Sequence, residues 1–167
     1  EQWLNTPLAI SANTDISDND LKKLRVMCQE AQRPLICIGG GARWADSLEQ
    51  WLKGADTLGI PYVSTLMGHE RVVARNSYFN MIGSYGNREA NWAVQNCDLL
   101  IVVGARLDVR QTGADVGDFA RLAHVIQIDI DPNQLNNRVR ADLSICAASE
   151  SFFRKFYRAY FNSIGSY

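Results

Sequence analysis

Five short runs of the chain are apolar on both faces, whereas a half-exposed strand would alternate apolar and polar residues. The clearest is CDLLIVV at 97–103, which ends in consecutive Leu, Ile and Val residues. Strands of this kind occur almost only in parallel sheets that helices cover on both sides. The feature therefore predicts a buried parallel sheet. Its strands are expected at 34–38, 60–64, 97–103, 124–130 and 143–147.

The segments between these runs have the spacing of amphipathic helices. In one of them Trp44, Leu48 and Trp51 recur at the helical repeat. A first helix is expected to begin at Ser17 or Asp18, since either side chain can cap a helix. The alternation predicts one α/β domain, a Rossmann-like doubly wound sheet of about six parallel strands with helices on both faces. The sixth strand is expected in YFNMIG at 78–83, and further helices at 42–58, 88–96, 114–122 and 132–138.

The two ends of the chain differ in character from its middle. Residues 1–17 contain Pro7 and no periodic pattern, which favours a linker-like lead-in. Residues 18–150 form the expected domain. Residues 151–167 continue a terminal helix, ESFFRKFYRAYF at 150–161, with aromatic residues around much of its circumference. We expect this helix to lead toward a further domain.

Charge and composition exclude several classes of partner. The formal net charge is -1, with 21% of residues charged, so the chain has no broad basic field for nucleic acid or anionic lipid. No apolar run approaches the roughly 20 residues of a bilayer span, and no signal segment is evident. We therefore expect a cytoplasmic protein with no nucleic-acid partner and no membrane partner.

The cysteines and histidines form no recognisable site. The cysteines lie far apart in apolar sequence, without the spacing of a zinc or redox motif, which predicts buried thiols in a reducing compartment. His69 and His124 are accompanied by no pattern of serine, cysteine or metal ligands. We expect no catalytic residue and no metal site in this chain. The cysteines are Cys28, Cys37, Cys97 and Cys146.

Each predicted strand ends in glycines or polar residues. The carboxyl ends of parallel strands share one edge of the sheet, where backbone can approach a ligand closely and where α/β proteins bind nucleotides. The pattern favours a nucleotide cleft, while the alternative is that strand-to-helix turns are ordinarily rich in such residues. The five strand ends are 39–41, 64–65, 83–86, 104–106 and 129–131.

Two arginines follow the run at 97–103 directly. Arg106 and Arg110 can bind phosphate oxygens in bidentate geometry, with Asp108 between them holding one guanidinium in place; the alternative is a solvated ion cluster. Asp129 can accept hydrogen bonds from a ribose or an adenine, whereas Asp131, which precedes a proline, is expected to cap a helix.

The glycines at 39–41 lack the spacing of the dinucleotide signature G-x-G-x-x-G, because Arg43 and Trp44 follow Ala42 where the third glycine would stand. This departure disfavours a standard nicotinamide site.

Four segments in this order resemble the central domain of thiamine-diphosphate-dependent enzymes, and within that group the acetolactate synthase large subunit. The resemblance covers about residues 18–150 and rests on several separated motifs. The segments are RPLICIGGG at 33–41, GIPYVSTLMG at 59–68, MIGSYGNREANWAVQNCDLLIVVGARLDVRQTG at 81–113 and VIQIDIDPNQLNNRVRADLSICA at 125–147.

The resemblance implies a site for flavin adenine dinucleotide (FAD) at the sheet edge. The family pattern Gly-x-x-Gly followed by Ala-Asn is similar to 83–86 with 90–91, and Gly-x-Arg-Phe-Asp-Asp-Arg-x-Thr-Gly is similar to 104–113. The resemblance places Arg106, Asp108 and Arg110 along the dinucleotide. The expected binding residues are Gly40, Gly41, Thr65, Leu66, Met67, Gly83, Gly86, Gly104, Arg106, Asp108, Arg110 and Asp129, with Thr65, Leu66 and Met67 near the flavin and Asp129 near the adenosine.

Two departures from the family pattern bear on the ligand. Val109 stands where the family has a second Asp, and Ser84-Tyr85 stand where it commonly has Met-His. Since related central domains bind FAD, ADP or no nucleotide, the resemblance leaves these three alternatives open.

The chemistry of the resembled enzymes lies in other domains. An N-terminal domain supplies the glutamate that activates thiamine diphosphate, and a C-terminal domain binds its diphosphate and magnesium. The resemblance thus implies a fragment, inactive alone, of a homo-oligomeric acetolactate-synthase-like transferase that acts on 2-oxo acids in branched-chain amino acid biosynthesis. The alternative is a free-standing nucleotide-binding or regulatory module.

Overall fold

The computed structural model describes residues 14–72 and 75–157, and it contains one sheet of six parallel strands. The order across the sheet is β3-β2-β1-β4-β5-β6. This order and the helices between the strands confirm the predicted Rossmann-like doubly wound α/β fold, and the segment at 78–83 supplies the outer strand β3. The strands are β1 (Pro34–Ile38), β2 (Tyr62–Ser64), β3 (Tyr78–Met81), β4 (Leu99–Val103), β5 (His124–Asp129) and β6 (Leu143–Cys146).

The two central strands, β1 and β4, mark the point where the chain changes direction across the sheet. The first three strands build outward from β1, and the chain then returns to place β4 on the other side of β1. Leu100 in β4 lies in register with Leu35 of β1 and with Val125 of β5. In an open α/β sheet the ligand crevice lies outside the carboxyl ends at this point.

The described residues also form five α-helices and four 3-10 turns, with α1 before the first strand, α5 after the last and the others between strands. The first helix is capped as predicted, because the Ser17 hydroxyl accepts a hydrogen bond from the Asp20 N–H. The helices are α1 (Asp18–Glu30), α2 (Leu48–Leu58), α3 (Arg88–Asn96), α4 (Val109–Thr112) and α5 (Ser149–Phe156), and the 3-10 turns are Gly40–Trp44, Leu66–Arg71, Val116–Asp118 and Pro132–Gln134.

The predicted continuous helix at 42–58 is wrong. The segment forms the 3-10 turn Gly40–Trp44, a break, and then α2. At the break the N–H of Ser47 donates to a carboxylate oxygen of Glu150 at 2.9 Å, and the Ser47 hydroxyl donates to the same oxygen. A side chain 103 positions away in the sequence thus takes the N–H that a continuous helix would use.

The predicted helices at 114–122 and 132–138 are also wrong, since each is reduced to one 3-10 turn. In the first, the Asp115 side chain accepts the N–H of Gly117, and Ala120 has a φ of +49°. In the second, Asn136 has a φ of +55° and donates its N–H to the side chain of Gln127. A left-handed residue cannot continue a right-handed helix.

Separate apolar layers cover the two faces of the sheet. On one face α1, α2 and α5 pack against alternate strand residues, and Trp51 and Phe153 are fully buried with their ring centroids 5.5 Å apart. On the other face α3 packs through Ala90 and Val94. The aromatic residues of α5 at 152, 153 and 156 are buried in this domain, while 158–167 and 1–13 lie outside the described residues, and with them most of the two predicted end segments.

Three of the four cysteines are buried as predicted, and burial raises the pKa of Cys28, Cys37 and Cys97 to about 12 each. The prediction is wrong for Cys146, which is exposed, because it ends the outer strand β6, which has a neighbouring strand on one side alone.

Between residues 14 and 157, with 73–74 excepted, no helix is long and apolar enough to cross a bilayer. The same part of the chain has no group of three or more His, Cys, Asp or Glu residues that could hold a metal ion.

Candidate functional site

A crevice of about 520 Å³ runs along the carboxyl edge of the sheet. The ends of β1 to β5 all contribute to its wall. The structure thus brings together side chains from segments that are distant in the sequence. Ten sequence-predicted binding residues line it: Gly40, Gly41, Thr65, Leu66, Met67, Gly104, Arg106, Asp108, Arg110 and Asp129.

The floor of the crevice is bare backbone from the ends of β1 and β4. The N–H of Gly39 donates to the carbonyl of Val103 at 2.8 Å, and the N–H of Gly41 donates to the carbonyl of Gly104 at 2.9 Å. A Cβ at Gly39 would lie 2.1 Å from the Gly104 oxygen, and Gly104 itself has a φ of +63°. Glycine is therefore required here by close packing and by conformation, and a ligand can approach the main chain directly.

In the segment after β4, the residue between Arg106 and Asp108 is buried, and the charged side chains on either side of it face outward. Leu107 is fully buried, with a φ of +53°. The Arg106 side chain is 68% exposed, and its Nη2 lies 3.4 Å from a carboxylate oxygen of Asp108, which is the contact expected from the sequence. In the part of the chain that the structure describes, the Arg110 guanidinium makes no ion pair.

Asp108 has a second role, as the cap of α4. Its carboxylate accepts the N–H of Arg110 at 2.9 Å, and Gln111 accepts the N–H of Asp108 at 2.9 Å. This reciprocal pair is a capping box, and it fixes where α4 begins relative to Arg106.

The loop after β3 forms another wall of the crevice. The side-chain oxygen of Asn91 accepts the N–H of Gly83 at 2.8 Å, and the N–H of Ser84 donates to the carbonyl of Arg110 at 2.8 Å. Gly83 lines a smaller neighbouring depression, and Gly86 closes the turn by donating to the Gly83 carbonyl. These two glycines are the predicted residues that the structure does not place on the crevice wall.

The end of β5 supplies carboxylates. Asp129 is 9% exposed, and burial raises its pKa, although the N–H groups of Asp131 and Ile130 act in the opposite direction. Asp131 caps the turn Pro132–Gln134 as predicted, since its carboxylate accepts the N–H of Asn133. The hydrogen bonds from Asn133 and Gln134 lower the pKa of Asp131.

The crevice is therefore graded in chemistry from one end to the other. Its β2 and β3 side presents apolar groups to solvent, with Leu66 50%, Met67 54% and Tyr85 72% exposed. Its centre combines bare backbone with arginines, and its β5 side carries carboxylates.

Sequence reasoning missed several residues of the wall. From the sequence, Arg43 stands only as a break in the glycine signature, and Asp131 as a cap within the strand end 129–131. The available signal for Arg43 was its place as the first charged residue after β1, which parallels Arg106 after β4. Ser84, Tyr85, Ala105 and Asp131 stand within the strand ends predicted to form the cleft, although they are not among the expected binding residues. The wall residues outside those strand ends and outside the expected set are Arg43, Met81, Ile82, Gln111 and Gln134.

Comparison with protein families gives one match that covers most of the chain. Residues 21–156 match the family described as thiamine pyrophosphate enzyme, central domain. The match includes all six strands and the whole wall of the crevice.

Individual relatives agree with the family match. The chain is 37% identical to the probable acetolactate synthase large subunit of Methanocaldococcus jannaschii over 80% of this chain, and 35% identical to the acetolactate synthase isozyme 2 large subunit of Escherichia coli over 87%. It is 42% identical to the acetolactate synthase large subunit of Porphyra purpurea over 68%. These alignments span 23%, 26% and 19% of the relatives' own lengths.

Proposed function

The chain belongs to the thiamine pyrophosphate enzyme central-domain family, and on that premise we propose that its crevice binds an adenine nucleotide with two phosphates, FAD or ADP. One observation carries the proposal. At the point where the sheet changes direction, bare backbone of Gly41 and Gly104 lies beside the guanidinium of Arg106. Close backbone approach joined to positive charge is the arrangement that phosphates need.

The dimensions and chemistry of the crevice fit such a ligand. Its volume of about 520 Å³ lies within the range of small-molecule sites. The glycines at the floor let the ends of β1 and β4 pack backbone against backbone, because a Cβ on Gly39 or Gly104 would meet main-chain atoms of the neighbouring segment. The fit therefore comes from this chain's own geometry as well as from the family pattern.

Each part of the crevice has a binding role in this proposal. Arg106 and Arg110 hold phosphate oxygens, and Asp129 accepts hydrogen bonds from ribose hydroxyls. Leu66 and Met67 provide an apolar surface for a planar ring. A flavin, when bound, supplies a ring capable of redox chemistry, and the residues of this chain only bind and orient it.

The chain's wider role follows from its relatives. We infer that it serves as the central domain of an acetolactate-synthase-like enzyme that uses thiamine diphosphate and magnesium to join or decarboxylate 2-oxo acids. The relatives named as acetolactate synthase large subunits are about four times longer than the aligned region, so the catalytic groups are assigned to other parts of such a protein. The same inference extends to homo-oligomer formation and to branched-chain amino acid biosynthesis.

Calorimetric titration of the 167-residue chain with FAD and with ADP tests the nucleotide site. Arg106→Ala should weaken binding by about 10-fold to 100-fold, because a charged hydrogen bond contributes roughly 1.5–3 kcal/mol. The melting temperature without ligand should hardly change, since the Arg106 side chain is mostly exposed. Arg25→Ala, on the exposed side of α1, is the matched control. Equal affinities of wild type and Arg106→Ala would exclude Arg106 from the site, and absence of binding by the wild type would refute the nucleotide proposal.

The catalytic inference has a separate test. The purified chain, given pyruvate, thiamine diphosphate and magnesium, should release no more carbon dioxide than a sample without protein. Turnover above that background would show that catalytic groups lie within these residues.

A further inference from the structure

A third arginine lines the crevice, at the end of β1. Arg43 belongs to the 3-10 turn Gly40–Trp44, so it reaches the crevice from the β1 side, whereas Arg106 reaches it from the β4 side. Since β1 and β4 are neighbours in the sheet, the two arginines flank the bare backbone floor.

The Arg43 guanidinium is not committed to a protein acceptor. Its Nε is buried and has no hydrogen-bond partner among the described residues, and the ion pairs of that region do not include it. Other partly buried arginines are engaged: Arg75 binds Glu49 at 2.6 Å, and Arg138 donates to the Gly113 carbonyl at 2.6 Å. A buried donor without an acceptor is rare in folded proteins and calls for an explanation.

The position of Arg43 is nevertheless well defined. Its guanidinium carbon lies 4.8 Å from the ring centroid of Trp44, within the range of a cation–π contact. The flanking residues Ala42 and Ala45 are buried, and the Gly41 N–H bond to Gly104 ties the turn to the end of β4. The turn that carries Arg43 is therefore fixed relative to the end of β4, and the Arg43 Nε has no protein acceptor among the described residues.

We propose that Arg43 binds one phosphate of a diphosphate from the β1 side while Arg106, with Arg110 on the same segment, binds the other from the β4 side. This inference rests on the proposed function and deepens it, because it assigns the preference for two phosphates over one. Arg106 and Arg110 both reach the crevice from the segment after β4, and the carboxylate of Asp108 already occupies part of Arg106. Among the lining arginines, Arg43 is the one that approaches from the β1 side. A planar guanidinium binds one phosphate in bidentate fashion, and two arginines match a diphosphate.

The deciding experiment measures the binding of ADP, AMP and inorganic pyrophosphate by calorimetry to wild type, Arg43→Ala and Arg43→Lys. Arg43→Ala should weaken the binding of ADP and of pyrophosphate by about tenfold or more, the loss expected for one charged hydrogen-bonding group. AMP affinity should change by less than about threefold, because Arg106 still binds a single phosphate. Arg43→Lys keeps the charge without the planar donors, so its affinity for ADP should lie between the other two. Arg25→Ala serves as the control.

A second measurement tests the role of Arg43 in the wild-type protein, without any substitution. In nitrogen-15 spectra of the wild type, the Nε–H resonance of Arg43 should shift on addition of pyrophosphate, while that of Arg25 should not. A resonance that stays in place at saturating pyrophosphate would overturn the proposal even if Arg43→Ala did not fold.

The remaining outcomes separate this inference from the proposed function. If Arg106→Ala loses ADP affinity and Arg43→Ala does not, the nucleotide site stands and the role of Arg43 is refuted. If Arg43→Ala weakens ADP and AMP equally, the assignment to the second phosphate is refuted. If the wild type binds pyrophosphate through Arg43 but binds neither ADP nor FAD, the nucleotide proposal fails and the diphosphate site stands. If the wild type binds none of these ligands, both are refuted.

Discussion

At the amino edge of the sheet, the carboxylate of Asp98 accepts the N–H groups of Gln32 and Arg33 at 2.8 Å each. At the carboxyl edge, the carboxylate of Asp129 is more deeply buried and accepts the N–H of Asp131 at 3.0 Å, with the N–H of Ile130 acting on it as well. The same type of side chain thus has two short hydrogen bonds at one edge, and deeper burial with a longer hydrogen bond at the other.

The difference appears in the direction of the pKa shifts. Burial would raise the pKa of Asp98, but the N–H groups of Arg33 and Gln32 outweigh it and the net shift is downward. For Asp129 burial is also the largest single influence, but there the N–H groups of Asp131 and Ile130 do not outweigh it and the pKa is raised. An ionised Asp98 therefore stabilises the fold, whereas an ionised Asp129 opposes it. The amino edge is built for stability, and the carboxyl edge keeps polar groups available at some expense of stability, as binding sites commonly do.

The largest difference in stability between the two edges is expected when a glycine at each edge is replaced by alanine. Gly39→Ala, at the carboxyl edge, should destabilise the chain by more than about 3 kcal/mol or prevent folding, because its Cβ meets backbone of Gly104. Gly59→Ala, at the amino edge, should cost about 1 kcal/mol for its positive φ alone, since nothing lies within 4 Å of its Cβ. Urea unfolding of both variants gives the comparison, and equal losses would contradict it.

A smaller effect is expected from Asp98→Ala, which removes the acceptor for two N–H groups. The loss in unfolding free energy should be about 1–3 kcal/mol at neutral pH, with ADP affinity unchanged. Because the folded pKa of Asp98 lies below its ordinary value of 3.8, its contribution is present above that value and is lost as pH falls through the depressed folded pKa. Urea midpoints from pH 7 down to pH 3 should thus converge with those of the wild type. A gap that stays constant would assign the loss to packing instead of charge.

The smallest predicted effect on stability is a gain instead of a loss, and it concerns Asp129. Asp129→Asn removes the ionised group whose burial opposes folding, yet it keeps an oxygen that can accept the Asp131 N–H. Since the folded pKa is raised above 3.8, the favourable contribution of the protonated wild-type residue is complete below that value and is lost as pH rises through the folded pKa. The variant should therefore be the more stable protein at pH 7, and no more stable than wild type below the ordinary pKa.

Nucleotide titration completes the test of Asp129→Asn, because a gain in stability should accompany weaker ADP binding. An Asn variant that is less stable than the wild type at pH 7 would show that Asp129 serves the fold and not a ligand.

Much of the fold could be predicted from the sequence because its determinants are local. The run at 99–103 is apolar on both faces whatever surrounds it, and this alone indicates a parallel strand. The break before α2 could not be predicted, because it depends on Glu150 reaching Ser47 from the far end of the chain. The exposure of Cys146 likewise depends on which strand ends the sheet.

The residues of the candidate site also differ in whether the sequence could predict them. Arg106 could be identified because charged residues that directly follow a β-branched run stand at the sheet edge. Arg43 has the same kind of signal, as the first charged residue after β1, but its significance lies in a buried Nε without an acceptor, and no sequence pattern contains that property. Gly86 shows the converse: it belongs to the family pattern, but in the fold it closes a turn beside the crevice.

The hydrogen bond from the Ser84 N–H to the Arg110 carbonyl joins the outer strand of the sheet to the far wall of the crevice. Strand β3 is short and pairs irregularly with β2, so its end is the place where fraying begins. Any opening of that end must also release the carbonyl of Arg110. A ligand that immobilises Arg110 would therefore reduce the population of frayed β3, and the slow exchange of its amide hydrogens would record whether the crevice is filled.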